Sequence, residues 1–271
     1  MAQRTVVAVA ALCLTALWAT GPAPDHIDQI VAESVQNTNA DWSAAPQYGF
    51  TERDVITKSG KHTVRTYQVI MIEGSPYNRL IAISDRPLTA EQQAVEARKL
   101  QQETARRRAE SAAQRHKRLA GYDRERQQDH LLMQEMIRAF DFKRAGEETV
   151  NGRLCYVLDA TPRPSYEPKS RETKVLKGMR GRMWIDEKQK QWVKVQAKVF
   201  RPVAFGLFIA HVEPGTEFEL EQKPAEGNLW LPSHFRMRVK AQVLLWSRRS
   251  ADDETYTNYR RSTEATAEVK R

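Results

Sequence analysis

The chain has 271 residues, a formal net charge of +9 and 41% hydrophobic side chains, enough for one large domain with a substantial core. Only two cysteines occur. One, Cys13, lies in an N-terminal apolar stretch, so a disulfide framework is excluded once that stretch is removed. The excess of positive charge is concentrated: residues 163–201 hold twelve Lys or Arg against four Asp or Glu, a net of +8.

The N-terminus predicts the address. Arg4 precedes the uncharged apolar run Val6 to Ala19, which is short for a bilayer span and is followed by the small residues Gly21 and Ala23. Residues 1–23 read as a secretory signal peptide, with an uncleaved anchor as the alternative. Leu12 stands before Cys13 where a lipoprotein signal needs a small residue. The protein is therefore expected to be exported and soluble in the periplasm, with residues 24–271 as a single domain. In that compartment the basic segment points away from nucleic acid and toward an anionic membrane surface, lipid head groups or an acidic protein.

Ile27, Ile30, Val31 and Val35 recur at helical spacing and predict a short amphipathic helix over 26–36, followed by a polar linker containing Trp42. Three strands follow, 48–58, 61–73 and 77–84, joined by turns at Lys58-Ser59-Gly60 and Glu73-Gly74-Ser75-Pro76. Residues 89–120 contain no Gly or Pro and are rich in Ala, Gln, Glu and Arg. Thr89 and Gln92 form a capping box, and Gly121 is the expected break before a second helix. That helix ends with Leu132, Met133, Met136, Ile137 and Phe140 on one face. Residues 87–140 thus read as an inserted charged helical hairpin or one kinked helix, solvated over its arginine-rich first part.

From Asp141 onward, strand follows strand. Asn151-Gly152 marks a tight hairpin. Arg171 to Arg180 reads as a short basic helix. Met183 and Ile185 face one way, with Trp184 opposite. Val193, Val195, Ala197 and Val199 are expected to share an inner face, as are Phe235, Met237, Val239, Ala241, Val243 and Leu245 in a later, longer strand. The apolar connection Arg201–Ala210 reads as a lid or a buried crossover. Cys155, among apolar neighbours, reads as a small buried hydrophobe.

No catalytic constellation emerges, so an enzyme is not expected. The six histidines have no metal-ligand spacing, Gly74-Ser75-Pro76 lacks the glycines of a nucleophile elbow, and there is no phosphate-binding glycine loop. No catalytic residue, metal ligand or cofactor is assigned. Trp184, Val193, Val195, Phe205, Phe208, Phe235, Met237 and Val239 are the candidate cavity lining. Arg171, Lys174 and Arg180 are the candidate basic rim.

Three islands carry a resemblance: Glu73-Gly74-Ser75-Pro76-Tyr77-Asn78-Arg79-Leu80-Ile81, the loop Ala160-Thr161-Pro162-Arg163-Pro164, and Gly181-Arg182-Met183-Trp184-Ile185-Asp186 followed by Gln191-Trp192-Val193-Lys194-Val195. With the signal peptide and the closing strands they resemble exported bacterial proteins of the LolA/LolB-like superfamily, the outer-membrane lipoprotein carriers and sorting proteins. The resemblance spans about 45–86 and 141–262. It implies an α+β fold: a large curved antiparallel sheet, an unclosed β-barrel, covered by helices. The function implied is a periplasmic carrier that holds an acyl chain or a lipidated protein in a hydrophobic cavity. The alternative is an envelope sensor or scaffold that binds a partner protein through the same fold or the helical hairpin. The arginine-rich insertion is not part of the basic superfamily pattern.

Overall fold

The computed structural model describes residues 27–58, 60–170, 172–205, 210–225, 229–243 and 246–262. The signal peptide expected over 1–23 lies outside them. The elements in chain order are helix α1 (Ile27–Ala44), a 3-10 helix (Ala45–Gln47), strands β1 (Tyr48–Lys58), β2 (Lys61–Ile72), β3 (Ser75–Ile83) and β4 (Arg86–Pro87), and helices α2 (Ala90–Arg108) and α3 (Ala112–Ala139). There follow β5 (Phe140–Val150), β6 (Arg153–Pro162), a second 3-10 helix (Glu172–Gly178), β7 (Met179–Asp186), β8 (Trp192–Val199), β9 (Val203–Phe205), β10 (Ala210–Val212), β11 (Glu217–Pro224), β12 (Trp230–Val243) and β13 (Trp246–Arg261).

Among the described residues the thirteen strands make one antiparallel sheet, ordered β4-β3-β2-β1-β13-β12-β11-β8-β7-β6-β5, with the small β9–β10 hairpin attached to β12. The sheet does not close, because β4 and β5 are its two ends. The α2–α3 hairpin carries the chain from one end to the other. Among the described residues the two halves of the sheet meet at β13, which pairs with β1 on one side and β12 on the other.

The tight hairpin predicted at Asn151-Gly152 forms, with both residues at positive φ, 51° and 77°. The turn between β2 and β3 is Glu73-Gly74 alone, and Ser75 and Pro76 already belong to β3.

Three expectations change. Helix α1 runs on to Ala44, so the polar linker is helix. Its last turns are held by Asn37, whose amide donates to the carbonyls of Gln189 and Lys190, and by Trp42, which stacks on His130 of α3 at 4.0 Å between ring centroids. The helical hairpin breaks at Ala109–Ser111, and Gly121 lies inside α3. Ser111 and Gln114 form a second capping box, while a lone glycine costs a long helix only about 1 kcal/mol. The basic helix over 171–180 is a single 3-10 stretch, and Met179 and Arg180 start β7.

The core lies between the sheet and the helices. Val31 of α1, Met136 and Ala139 of α3, and Leu176 of the second 3-10 helix pack on Leu158, Met183, Ile185, Val195 and Val199. We call this the inner face. The Trp192 indole N–H donates to Ser34 Oγ of α1 at 2.9 Å, and both side chains are buried. A smaller cluster of Cys155, Val157, Trp184, Val193 and Trp230 occupies the outer face.

Candidate functional site

The family-like islands turn out to be joinery. A Cβ on Gly181 would stand 2.5 Å from the Gln196 carbonyl oxygen, so only glycine lets β7 approach β8 so closely. Asp186, 3% exposed, closes the β7–β8 turn: one carboxylate oxygen accepts from the backbone N–H of Lys188 and Gln189, and the other accepts from Arg153. Ser75 anchors the insertion. The Arg107 guanidinium, buried, donates to the carbonyls of Ile72, Ser75 and Pro76 and to Ser75 Oγ. Arg118 donates to Ser75 Oγ and the Glu73 carbonyl. The arginine-rich first part of the hairpin is therefore bound to the sheet through polar contacts that a search for apolar stripes overlooks.

The structure separates the candidate cavity residues. Val195 lies on the inner face, packed under the helices. Val193 does not share that face. Trp184 pairs with Lys194 and Ile185 pairs with Trp192, so Val193 is the extra residue of a β-bulge and turns outward to Trp184 and Trp230. Trp184 itself is an outer-face residue whose indole N–H donates to Glu148. Phe235, Met237 and Val239 take the inner face. Phe235 continues the row Met183–Val195–Leu220, and Met237 the row Gly181–Ala197–Phe218. Phe205 is placed by its backbone alone, paired with Ala210. Phe208 and Arg171 lie outside the described residues. Lys174 is exposed on the second 3-10 helix, and Arg180 is exposed on the outer face of β7.

The inner face thus has two regions. Over β6 to β8 it is filled by α1, α3 and the second 3-10 helix. Over β11 and β12, Phe218, Leu220, Phe235, Met237 and Val239 are only half-buried. Phe218 and Leu220 were absent from the candidates, although their same-parity positions in β11 announce the shared face.

Beyond this apolar strip the same face becomes acidic. Glu254 is opposite Phe235, and Asp54 opposite Glu254; Asp252 is opposite Met237, and Glu52 opposite Tyr256. Burial first, then the charges of Glu254 and Asp54, push the Glu52 carboxyl up to about 7. Glu254 and Asp54 are also raised, chiefly by burial. Tyr256 donates its hydroxyl to Glu254, and burial raises the pKa of both Tyr256 and Tyr259. Among the described residues, Lys174 and Arg180 of the expected basic rim do not line this side, where Arg65 of β2 lies opposite Asp54.

Glu219, Glu221 and His234 gather on the outer face closely enough to ligate a metal ion, a grouping hidden from sequence spacing. Lys194 already stands between the two carboxylates, 3.0 and 3.1 Å away, and His234 contacts Asp253 at 3.0 Å. An internal ammonium thus offsets one of the two negative charges and occupies the space between them. Burial raises the Cys155 thiol to about 11, which suits a packed, unreactive side chain.

No protein-family model matches the chain, and no curated protein is detectably similar to it in sequence. Comparison with solved structures finds distant likenesses. One is a DUF1329 family protein from Desulfovibrio piger, with 13% identity over 89% of this chain and 95% of that one and a TM-score of 0.36. A proposed outer membrane lipoprotein-sorting protein domain from Vibrio parahaemolyticus gives 9% identity over 86% and 94% and a TM-score of 0.36. A LolA superfamily protein from Nitrosomonas europaea gives 8% identity over 86% and 92% and a TM-score of 0.32. At these values the likeness concerns fold alone. Among the described residues, no helix is long and apolar enough to cross a membrane.

Proposed function

We propose that this chain is a non-catalytic binding protein of the bacterial envelope that seats an apolar chain, an acyl group or the lipid of a lipidated protein, on the half-covered strip of its inner face. The observation that carries the reading is the contiguous row of half-buried Phe218, Leu220, Phe235, Met237 and Val239, continuous with the packed core yet left partly open by the helices. The carboxylates beside the strip favour a ligand whose polar end donates hydrogen bonds or carries positive charge. A bare phosphate there would face Glu254 and Asp252.

A fluorescent fatty amine and the matching fatty acid, titrated in parallel, test this. Micromolar binding is expected, tighter for the amine. Val239→Glu, which sets a carboxylate in the strip, is expected to weaken the acid probe at least tenfold while thermal melting remains cooperative. No binding of either probe, across chain lengths and with lipidated peptides, overturns the carrier reading in favour of a scaffold.

A further inference from the structure

The basic segment of the sequence resolves unevenly in the fold. On the outer face one cross-strand row reads Asp159–Arg182–Gln196–Glu219–Arg236–Asp253, and its charges are paired: Arg182 with Asp159 at 2.8 Å and Arg236 with Asp253 at 2.8 Å. The next row reads Arg180–Lys198–Glu217–Arg238. Its one carboxylate meets Lys198 at 3.2 Å. Phe200, just past the end of β8, stands exposed at 39%, with the Arg180 and Arg201 guanidinium carbons 5.5 and 5.4 Å from its ring centre. Arg180, Arg201 and Arg238 are all exposed, and among the described residues none has a carboxylate within salt-bridge distance, although Arg201 donates its Nε and one Nη to the Lys177 carbonyl.

We propose that this patch docks the protein on an anionic lipid bilayer. The ring and its guanidiniums supply the two things an interface asks for. An aromatic side chain lies at head-group depth, and arginines reach phosphates with forked N–H donors while their stems stay on apolar surface. Three cations without carboxylate partners match a negatively charged leaflet, each contributing to attraction that falls off within a Debye length. Several arginines along one exposed face match a surface of many phosphates, and an acidic protein is the alternative outcome that the test below separates. The patch lies on the face opposite the apolar strip, so the inference stands apart from the binding function proposed above.

Co-sedimentation of the purified protein with phosphatidylglycerol/phosphatidylcholine vesicles, against pure phosphatidylcholine, provides the test. The N-terminal segment with Arg4 is common to the wild type and every variant below, so the ratio of variant to wild-type preference isolates the patch. Stronger binding to the anionic vesicles is expected, declining as salt rises. Each of Arg180→Gln, Arg201→Gln and Arg238→Gln should lower the anionic preference about fivefold, the equivalent of about 1 kcal/mol per charge. Phe200→Ser should lower it severalfold with no change in charge, and Phe200→Trp should add blue-shifted emission on binding. The distant triple variant Lys61→Gln, Arg86→Gln, Arg98→Gln removes as much charge as the three patch substitutions combined and should change binding less than twofold per site. Equal partition into both vesicles overturns the proposal. So does an equal loss in the distant triple variant, or binding to polyaspartate without binding to anionic vesicles.

Discussion

Arg107, in the last turn of α2, wraps its guanidinium around Ser75, donating to both the backbone oxygen (2.7 Å) and the side-chain oxygen (3.0 Å). Its Nε is held by Glu103 at 2.6 Å. One buried side chain therefore couples the helical hairpin to the β2–β3 turn. Replacing it with alanine takes this donor from the carbonyl oxygens of Ile72, Ser75 and Pro76 inside a closed contact, while Glu103 keeps Arg106 and Ser75 Oγ keeps Arg118. Arg107→Ala is expected to cost about 3 kcal/mol in urea unfolding, whereas Arg106→Ala, whose side chain is 56% exposed, should cost less than about 1 kcal/mol.

The insertion as a whole should be less costly to lose than that comparison implies. Replacing residues 89–128 with a short Gly/Ser linker returns the oxygens of Ile72, Ser75 and Pro76 to water, which satisfies them. Retained β-sheet circular dichroism and a cooperative, lowered melting transition are expected. A non-cooperative melt would place the hairpin within the folding core.

Glu52 makes stability depend on pH in the direction opposite to a salt-bridged carboxylate. Its ordinary value is 4.5 and its folded value is about 7, so between these the folded state holds a proton that the unfolded chain has released. Stability from this group is present below about pH 4.5 and is lost as pH rises through 7. Glu52→Gln should therefore flatten the decline between pH 5 and pH 8 and raise stability at pH 8 by about 1–2 kcal/mol, less than the full shift because water reaches the group. A steeper decline in the variant would contradict this.

Asp186 closes its turn with two backbone acceptor bonds and an arginine contact while nearly fully buried. Asp186→Ala should cost about 2–3 kcal/mol. Asp186→Asn keeps the acceptor but loses the charge, and should recover about half. Equal loss in both would mean that the Arg153 contact dominates.

The strands were legible because alternation with period two is a local signal, and the Asn151-Gly152 hairpin because its chemistry is local too. The parity error at Val193 has a definite cause. A bulge adds one residue without marking it, and every assignment across it slips to the other face. Ser111-x-x-Gln114 was a readable helix start, outweighed by the more conspicuous Gly121. The acidic side of the inner face was half readable. Phe50, Glu52, Asp54 and Ile56 share parity within β1, but Glu254 joins them only through a pairing that spans some two hundred residues.

That same pairing dictates when the molecule can exist. β1 to β3 emerge early, and their long neighbour β13 is the last of the described strands to be made. Until β13 is made, the N-terminal meander and strands β5 to β12 share no sheet pairing, and β1 and β12 each present an unpaired edge. Contacts of such high sequence separation form slowly. A chain released in order from its N-terminus would thus remain two unjoined half-sheets until β13 is available. Any truncation before β13 removes the seam and, with it, the unity of the sheet.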